Sequence, residues 1–442
     1  MKRISILLLL LCVISSAVVA QTAREEIDAH PHISINAHGV YAAPYFFKPI
    51  AKAPKGYEPF YISHYGRHGS RYEATQQNVD RAKNIFLKAD SLGVLTSKGR
   101  EVLAYLEKFD AYHKGCAGEL TPLGVEQHKG IARRMYNRFK SVLTPGSLVE
   151  SKSSIYNRCI MSMASFNESL KECQPKLQTK METGERHALI VRPTTPENPL
   201  MPRGLTVNNL HKGRKYMEDL AVWGDKQNLK PSLDAMFTDS SELRPNGHTS
   251  DIAFLTYIYT RLAFYQNFGW QRPEFLDIIF PPDVRYAIYG YVNYWWYNAH
   301  VSTALPISRK VLASTRPLVE DIINNADLAI EGKNEAVANL RFGHDYFLLS
   351  LLGVISFNEY SAEIDVSNID AFNDKWRGFR AISMASNLQM ILYRSKKGGD
   401  VLVRFLHNEN DVTLPIESDK APFYKWSDVK QYMLGRLEYL AQ

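Results

Sequence analysis

Cysteine is scarce, with four residues in a chain of 442. Cys12 lies in an N-terminal apolar stretch, which leaves Cys116, Cys159 and Cys173. An odd number means at least one free thiol and no disulfide framework. If Cys159 and Cys173 share a helix, they stand about 20 Å apart, beyond disulfide reach; either could still join Cys116. No cysteine or histidine spacing resembles a zinc site. Long Lys/Arg runs and nucleic-acid modules are missing too, which argues against nucleic-acid binding. So are internal repeats, low-complexity tracts and, beyond the N-terminus, any apolar run long enough to cross a membrane. Stability must come from core packing. A composition 45% hydrophobic and 22% charged suits a soluble enzyme of two or three domains.

The N-terminus carries Lys2 and Arg3, the apolar run Ile4 to Val13, and Ser16-Ala17-Val18-Val19-Ala20. This pattern predicts a secretory signal over residues 1–20, a mature chain from Gln21 and a periplasmic or secreted protein. Leu11 before Cys12 stands where a lipoprotein signal wants a small residue, so Cys12 belongs to the discarded segment. Removing Lys2 and Arg3 lowers the formal charge from +7 to +5. That balance suits an anionic substrate, and solubility explains it equally well.

The richest stretch is Tyr65-Gly66-Arg67-His68-Gly69-Ser70-Arg71. Two guanidinium groups flank one imidazole on a glycine-lined turn after an apolar strand, Glu58 to His64. Arginine matches phosphate oxygens two at a time, and neighbouring cations keep an imidazole neutral with a free lone pair. Ligands of open α/β sheets bind beyond the carboxyl ends of strands. Further on, Thr121 is a good N-cap and Pro122 a good first helical residue, with Ile131, Met135 and Phe139 on the buried side. Val149 to Ser154 reads as a strand, and Arg158 opens a helix over 159–173, an anion-binding position. Ala338 to Phe342 reads as a strand ending in Gly343-His344-Asp345, followed by a buried helix from Tyr346 to Ile355.

The Arg-His-Gly-x-Arg run, Leu120-Thr121-Pro122-Leu123-Gly124, Ser153-Ser154 with Arg158, and His344-Asp345 occur in the order found in histidine phosphatases. The chain resembles the branch of acid phosphatases, phytases and multiple inositol polyphosphate phosphatases. The resemblance implies a phosphoglycerate mutase-like α/β sandwich core with an inserted α-helical cap. The sequence pattern agrees: the core would comprise 21–205 and 336–442, with strands at His187 to Arg192, Asn387 to Tyr393 and Val401 to Leu406. The helical cap would span 206–335, after the stiff loop Pro193 to Pro199.

The implied chemistry is phosphomonoester hydrolysis through a phosphohistidine. His68 is the nucleophile, Arg67, Arg71, Arg158 and His344 hold the phosphate, and Asp345 is the proton donor, with an acid-side optimum of roughly pH 4–6. No metal or other cofactor is required, since the cations offset the phosphate charge. Lys212 and Arg214, with Lys215, could meet further phosphates or simply form a solvated helix face. The aromatics Tyr286, Tyr289, Tyr291, Tyr294, Trp295, Trp296 and Tyr297 read as helix packing or as a wall over the active site; His248 and His300 read as structural.

Substrate signals conflict. His344-Asp345 is the form typical of acid phosphatases and phytases, whereas Val401 to Asn408 with Val412-Thr413-Leu414-Pro415 resembles the inositol polyphosphate group. The substrate is expected to be a small anionic phosphomonoester, with inositol polyphosphate first and a broad acid phosphatase second. A mutase-like transferase is disfavoured by export, and a phosphate-binding protein would have no need of Asp345. Oligomeric state is not legible.

Overall fold

The computed structural model describes residues 21–192, 198–200, 215–245 and 248–442. The expected signal segment, most of the 193–199 loop, Lys212 and Arg214 lie outside the described residues.

Strands β1 (Tyr57–Arg67), β2 (Leu148–Ser153), β3 (Gln178–Thr183), β4 (Ala336–Gly343), β5 (Asn387–Ser395), β6 (Leu402–His407) and β7 (Asn410–Val412) form one mixed sheet in the order β3-β2-β4-β1-β5-β6-β7. β8 (Tyr424–Lys425) pairs with β6. β3, β2, β4 and β1 run parallel, and β5 to β7 alternate antiparallel. Successive strand side chains point to opposite faces. Ile62, Ile391 and Leu406 therefore join one core with Ile131, Met135 and Phe166 of the helices Pro122–Arg138 and Asn157–Cys173. Tyr61, Tyr65, Met390 and Phe405 join the opposite core with Ile322, Leu348 and Met433 of the helices Arg316–Ile330, Asp345–Ile355 and Trp426–Ala441.

The parallel register sets the site. Arg67 pairs with Gly343 and Ser153 with Phe342, so β1, β2 and β4 end level, and the residues that follow them share one edge. β1 runs three residues past the expected His64, which makes Arg67 its last residue.

The strand expected at His187 to Arg192 is instead a turn, Glu185–His187, and a short helix, Ala188–Val191. Ala188 and Val191 are buried there, and the Val191 carbonyl accepts a hydrogen bond from Tyr65 Oη at 3.0 Å. The sheet's edge is β3, nearly all polar and without a buried residue, so it carries no hydrophobic alternation to read.

Helices Lys215–Gly224, Lys230–Met236, Asp251–Leu262, Pro282–His300 and Pro306–Ala313 fall in the range expected for the cap. Two of them, Lys230–Met236 and Asp251–Leu262, pack on helices Gln76–Ser91 and Ser97–His113, from outside that range. Arg316–Ile330, inside it, lies against β1 and β4. Cys116, Cys159 and Cys173 are free thiols. No helix among the described residues is long and apolar enough to cross a membrane.

Candidate active site

His68 follows β1 directly. Its backbone N–H donates to the Gly343 carbonyl at 3.0 Å, and its carbonyl accepts from Ala385 N at 2.9 Å. Nδ1 lies 2.9 Å from the Gly69 carbonyl. A carbonyl only accepts, so Nδ1 carries the proton and Nε2 keeps its lone pair. The ring is 2% exposed. Burial first, then Arg67, Arg158, Arg71 and His344, hold its pKa well below the ordinary histidine value. His68 is thus neutral with its tautomer fixed.

The turn after it is clamped by the helix Pro122–Arg138. Thr121 N and Oγ1 both donate to the Ser70 carbonyl, at 2.9 and 3.0 Å, while Oγ1 caps Gly124 N at 3.2 Å. Gln127 holds Ser70 N and Oγ. A Cβ on Gly124 would lie 2.3 Å from the Ser70 carbonyl, and one on Gly69 would lie 2.6 Å from the Gly124 carbonyl. Both glycines are required by this close approach.

Arg67 is fully buried. Its Nη1 donates to the carbonyls of Ala37 at 2.6 Å and Ile382 at 3.1 Å, and its Nη2 to Asp345 Oδ2 at 2.7 Å. Burial pulls its pKa to about 10, against the opposing pull of Asp345, which leaves it charged. Arg71 donates from Nη1 to the Tyr72 carbonyl. Arg158 is the second residue of the helix Asn157–Cys173, whose N-terminus has no side-chain cap; its guanidinium lies 4.6 Å from the Tyr156 ring centre. The Nε groups of Arg67 and Arg158 are buried without a partner. Three arginines, facing Asp345 and, on the Arg71 side, Glu73, with orphaned N–H donors and open helix N–H groups, suit a phosphate monoester dianion.

His344 occupies the N-cap of the helix Asp345–Ile355. Its ring centre is 5.7 Å from that of His68, Nε2 lies 3.1 Å from Ser154 Oγ, and Arg158 Nη2 lies 3.5 Å from Nδ1. Burial and then Arg158 lower its pKa to about 3, so it too is neutral. Asp345 opens the helix, with Oδ1 accepting from Tyr346 N at 2.8 Å and the side chain 15% exposed. Burial alone would raise its pKa; Arg67, then His344 and the Tyr346 N–H, hold it well below the usual carboxylate range. In the ligand-free site Asp345 is therefore an ionised counter-ion of Arg67.

The structure brings Arg67, His68, Arg71, Arg158, His344 and Asp345 together. Several neighbours were not legible beforehand. Ala37 and Ile382 act through carbonyls, which carry no sequence signature. His38 is buried beside Glu73, Arg71, Arg261 and Arg67; burial, with the three arginines and against the pull of Glu73, lowers its pKa to about 4. Arg192, 5.8 Å over the Tyr156 ring, adds positive charge near His344. Among the aromatics, Tyr289, Tyr294 and Tyr297 are buried in helix packing, while Trp296 lies tilted against His300 with ring centres 5.2 Å apart, and the His300 ring centre is 6.2 Å from that of Tyr346.

The model of the histidine phosphatase superfamily (branch 2) matches residues 66–408. Among solved structures, the chain is similar to the Bifidobacterium longum multiple inositol polyphosphate phosphatase in complex with inositol hexasulfate: TM-score 0.73, 18% identity, covering 90% of this chain and 96% of that one. It is also similar to the phytase from D. castellii, with TM-score 0.66, 14% identity and coverage of 92% and 85%. Hafnia alvei phytase gives TM-score 0.53, 13% identity and coverage of 88% and 100%. At these identities the likeness is one of fold. No curated protein matches the chain in sequence.

Proposed function

Because the chain belongs to branch 2 of the histidine phosphatase superfamily and is a phosphatase, we propose that it hydrolyses phosphomonoesters through a phosphohistidine on His68, with inositol polyphosphates as preferred substrates. The observation that carries the mechanism is the His68 ring, which is neutral, with Nδ1 engaged by the Gly69 carbonyl and Nε2 free among three arginines.

Nε2 attacks phosphorus in line while Arg67, Arg71 and Arg158 hold the non-bridging oxygens; positioning and charge stabilisation supply the catalysis. The ester P–O bond breaks, and its electron pair leaves with the alkoxide, which takes a proton from Asp345. A water then attacks the phosphohistidine, Asp345 takes its proton, and the P–N pair returns to Nε2. Asp345 must be protonated for the first step, yet in the free site Arg67 holds it ionised. The incoming dianion competes for Arg67 and raises the Asp345 pKa. Protonation is thus coupled to substrate binding, and acid pH favours it. His344, placed between Ser154 and Arg158, orients Arg158 and offers a further polar contact. Helices drawn from 76–113 and 215–313 would form the cap over the site, and Lys212 and Arg214 would reach further phosphates. The N-terminal pattern assigns the enzyme to the periplasm or the exterior.

The inositol polyphosphate reading is supported by the likeness to enzymes of that kind and by the Val401 to Asn408 segment; His344-Asp345 favours a broad acid phosphatase as second reading. Phosphate release from phytate, sugar phosphates and nucleotides, assayed at several pH values with chelator present, separates them. Preference for phytate at acid pH is expected. Equal rates on all three classes would leave the broad phosphatase.

A further inference from the structure

The residue at the N-cap of the helix Asn157–Cys173 breaks a local rule. Serine, threonine, asparagine and aspartate are favoured there, because their side chains accept from the N–H groups of the first turn. This helix has Tyr156, which makes no side-chain cap. Its backbone does what the position requires: φ of −76° and ψ of 131° are extended, and the carbonyl accepts from Cys159 N at 2.8 Å and Ile160 N at 3.1 Å. The side chain is 40% exposed, so core packing does not account for it. Departures from local preference concentrate at functional sites.

Three side chains of the site gather on this ring. The Arg158 guanidinium lies 4.6 Å from its centre and that of Arg192 5.8 Å, both within reach of cation–π attraction. The His344 ring meets it edge-on, with centres 5.1 Å apart and planes at 89°. Arg192 has a carboxylate of its own, Glu185 at 2.7 Å, whereas Arg158 makes no ion pair among the described residues.

The polar contacts of Arg158 are long. Nη1 lies 3.5 Å from the Gly118 carbonyl and Nη2 3.5 Å from His344 Nδ1, while Nε is buried without a partner. Arg67, by contrast, is fixed by bonds of 2.6, 3.1 and 2.7 Å to Ala37, Ile382 and Asp345. Holding a long side chain in one geometry costs rotamer entropy, and contacts at 3.5 Å offset little of it. An aromatic face supplies the missing support in a form that suits the task. It attracts the cation without taking up its N–H donors, which stay available to phosphate oxygens; a carboxylate would occupy them and cancel the charge.

We propose that Tyr156 is the positioning residue for Arg158, its ring holding the guanidinium in the phosphate-binding orientation without neutralising it. This role rests on the reading of Arg158 as a phosphate ligand. It also explains the missing cap: a polar side chain at 156 would consume the first-turn N–H groups, whereas tyrosine leaves them and Arg158 to the same anion.

Binding of inorganic phosphate to the whole protein, measured by isothermal titration calorimetry, tests the role without turnover. Tyr156 is exposed enough to be replaced without opening the core. Tyr156→Leu should weaken phosphate binding about fivefold, and Tyr156→Phe, which keeps the ring and drops only the hydroxyl, should stay within about twofold of the unsubstituted protein. Arg158→Ala should weaken binding further than Tyr156→Leu does. Adding Tyr156→Leu to Arg158→Ala should then change the affinity by less than about twofold, since the ring has lost the cation through which it acts. Normal binding by Tyr156→Leu, a Tyr156→Phe protein as weak as Tyr156→Leu, or a fivefold loss that persists beside Arg158→Ala would each overturn the positioning role while leaving Arg158 a phosphate ligand. Undiminished binding by Arg158→Ala would overturn the reading of Arg158 itself, and the role of Tyr156 with it.

Discussion

The Asp345 carboxylate is both the ion-pair partner of Arg67 and the proposed source of the leaving group's proton. These two duties require opposite charge states, and in the proposed mechanism the substrate phosphate switches between them. Asp345→Asn keeps the size but loses the proton. It should slow hydrolysis of alkyl phosphates by about 10²- to 10⁴-fold, the usual worth of general acid catalysis. p-Nitrophenyl phosphate, whose leaving group needs little protonation, should suffer much less. Steady-state kinetics on both substrates decide it: equal losses would reduce Asp345 to a counter-ion. The side chains gathered at the candidate site were legible because arginines around a histidine carry their chemistry in their names. The partners that aim Arg67 were not, since Ala37 and Ile382 contribute only carbonyl oxygens that any residue possesses.

The helix Pro122–Arg138 shows how an element that touches no phosphate can set the site. Its first turn holds the Ser70 carbonyl through Thr121 and leaves no space for a side chain at Gly124. Gly124→Ala would place a Cβ 2.3 Å from the Ser70 carbonyl and force the turn carrying Arg71 to move. A displacement of about 1 Å can cost on the order of 10²-fold, so kcat on p-nitrophenyl phosphate should fall by about that factor while the far-UV circular dichroism spectrum is retained. Unchanged kcat would show that the turn tolerates the shift. Thr121 and Pro122 announced the start of this helix through capping chemistry; its clamp on Ser70 is a tertiary contact that no local pattern encodes. The edge strand Gln178–Thr183 stayed hidden for the opposite reason: it buries none of its residues, so the hydrophobic alternation that betrays a strand is absent, whereas the apolar run at 188–191 suggested a strand and is a helix turn against β4.

At the scale of the whole molecule, buried neutral histidines make stability depend on pH. Burial lowers the pKa of His64, His128, His344 and His407 to about 3. The unfolded chain binds protons at these positions near pH 6.5 and the folded one does not, so stability is full above pH 6.5 and falls as pH drops toward 3. Each such histidine contributes a slope of about 1.4 kcal/mol per pH unit inside that window. Asp345 acts lower: its depressed pKa stabilises the fold above about pH 4 and that contribution is lost on further acidification. Thermal unfolding should show Tm falling from pH 7 to pH 4, and His128→Leu should flatten the slope by one proton; an unaltered slope would mean His128 is protonated in the fold. The sheet itself brings distant segments to one edge, with Arg67 beside Gly343 and Ser153 beside Phe342. The claim that this edge is a phosphotransfer site is tested most directly by quenching the enzyme with base during turnover and mapping the phosphorylated residue by mass spectrometry. A base-stable, acid-labile phosphate on His68, absent from His68→Ala, is the expected result; an adduct on another residue, or one that survives acid, would contradict it.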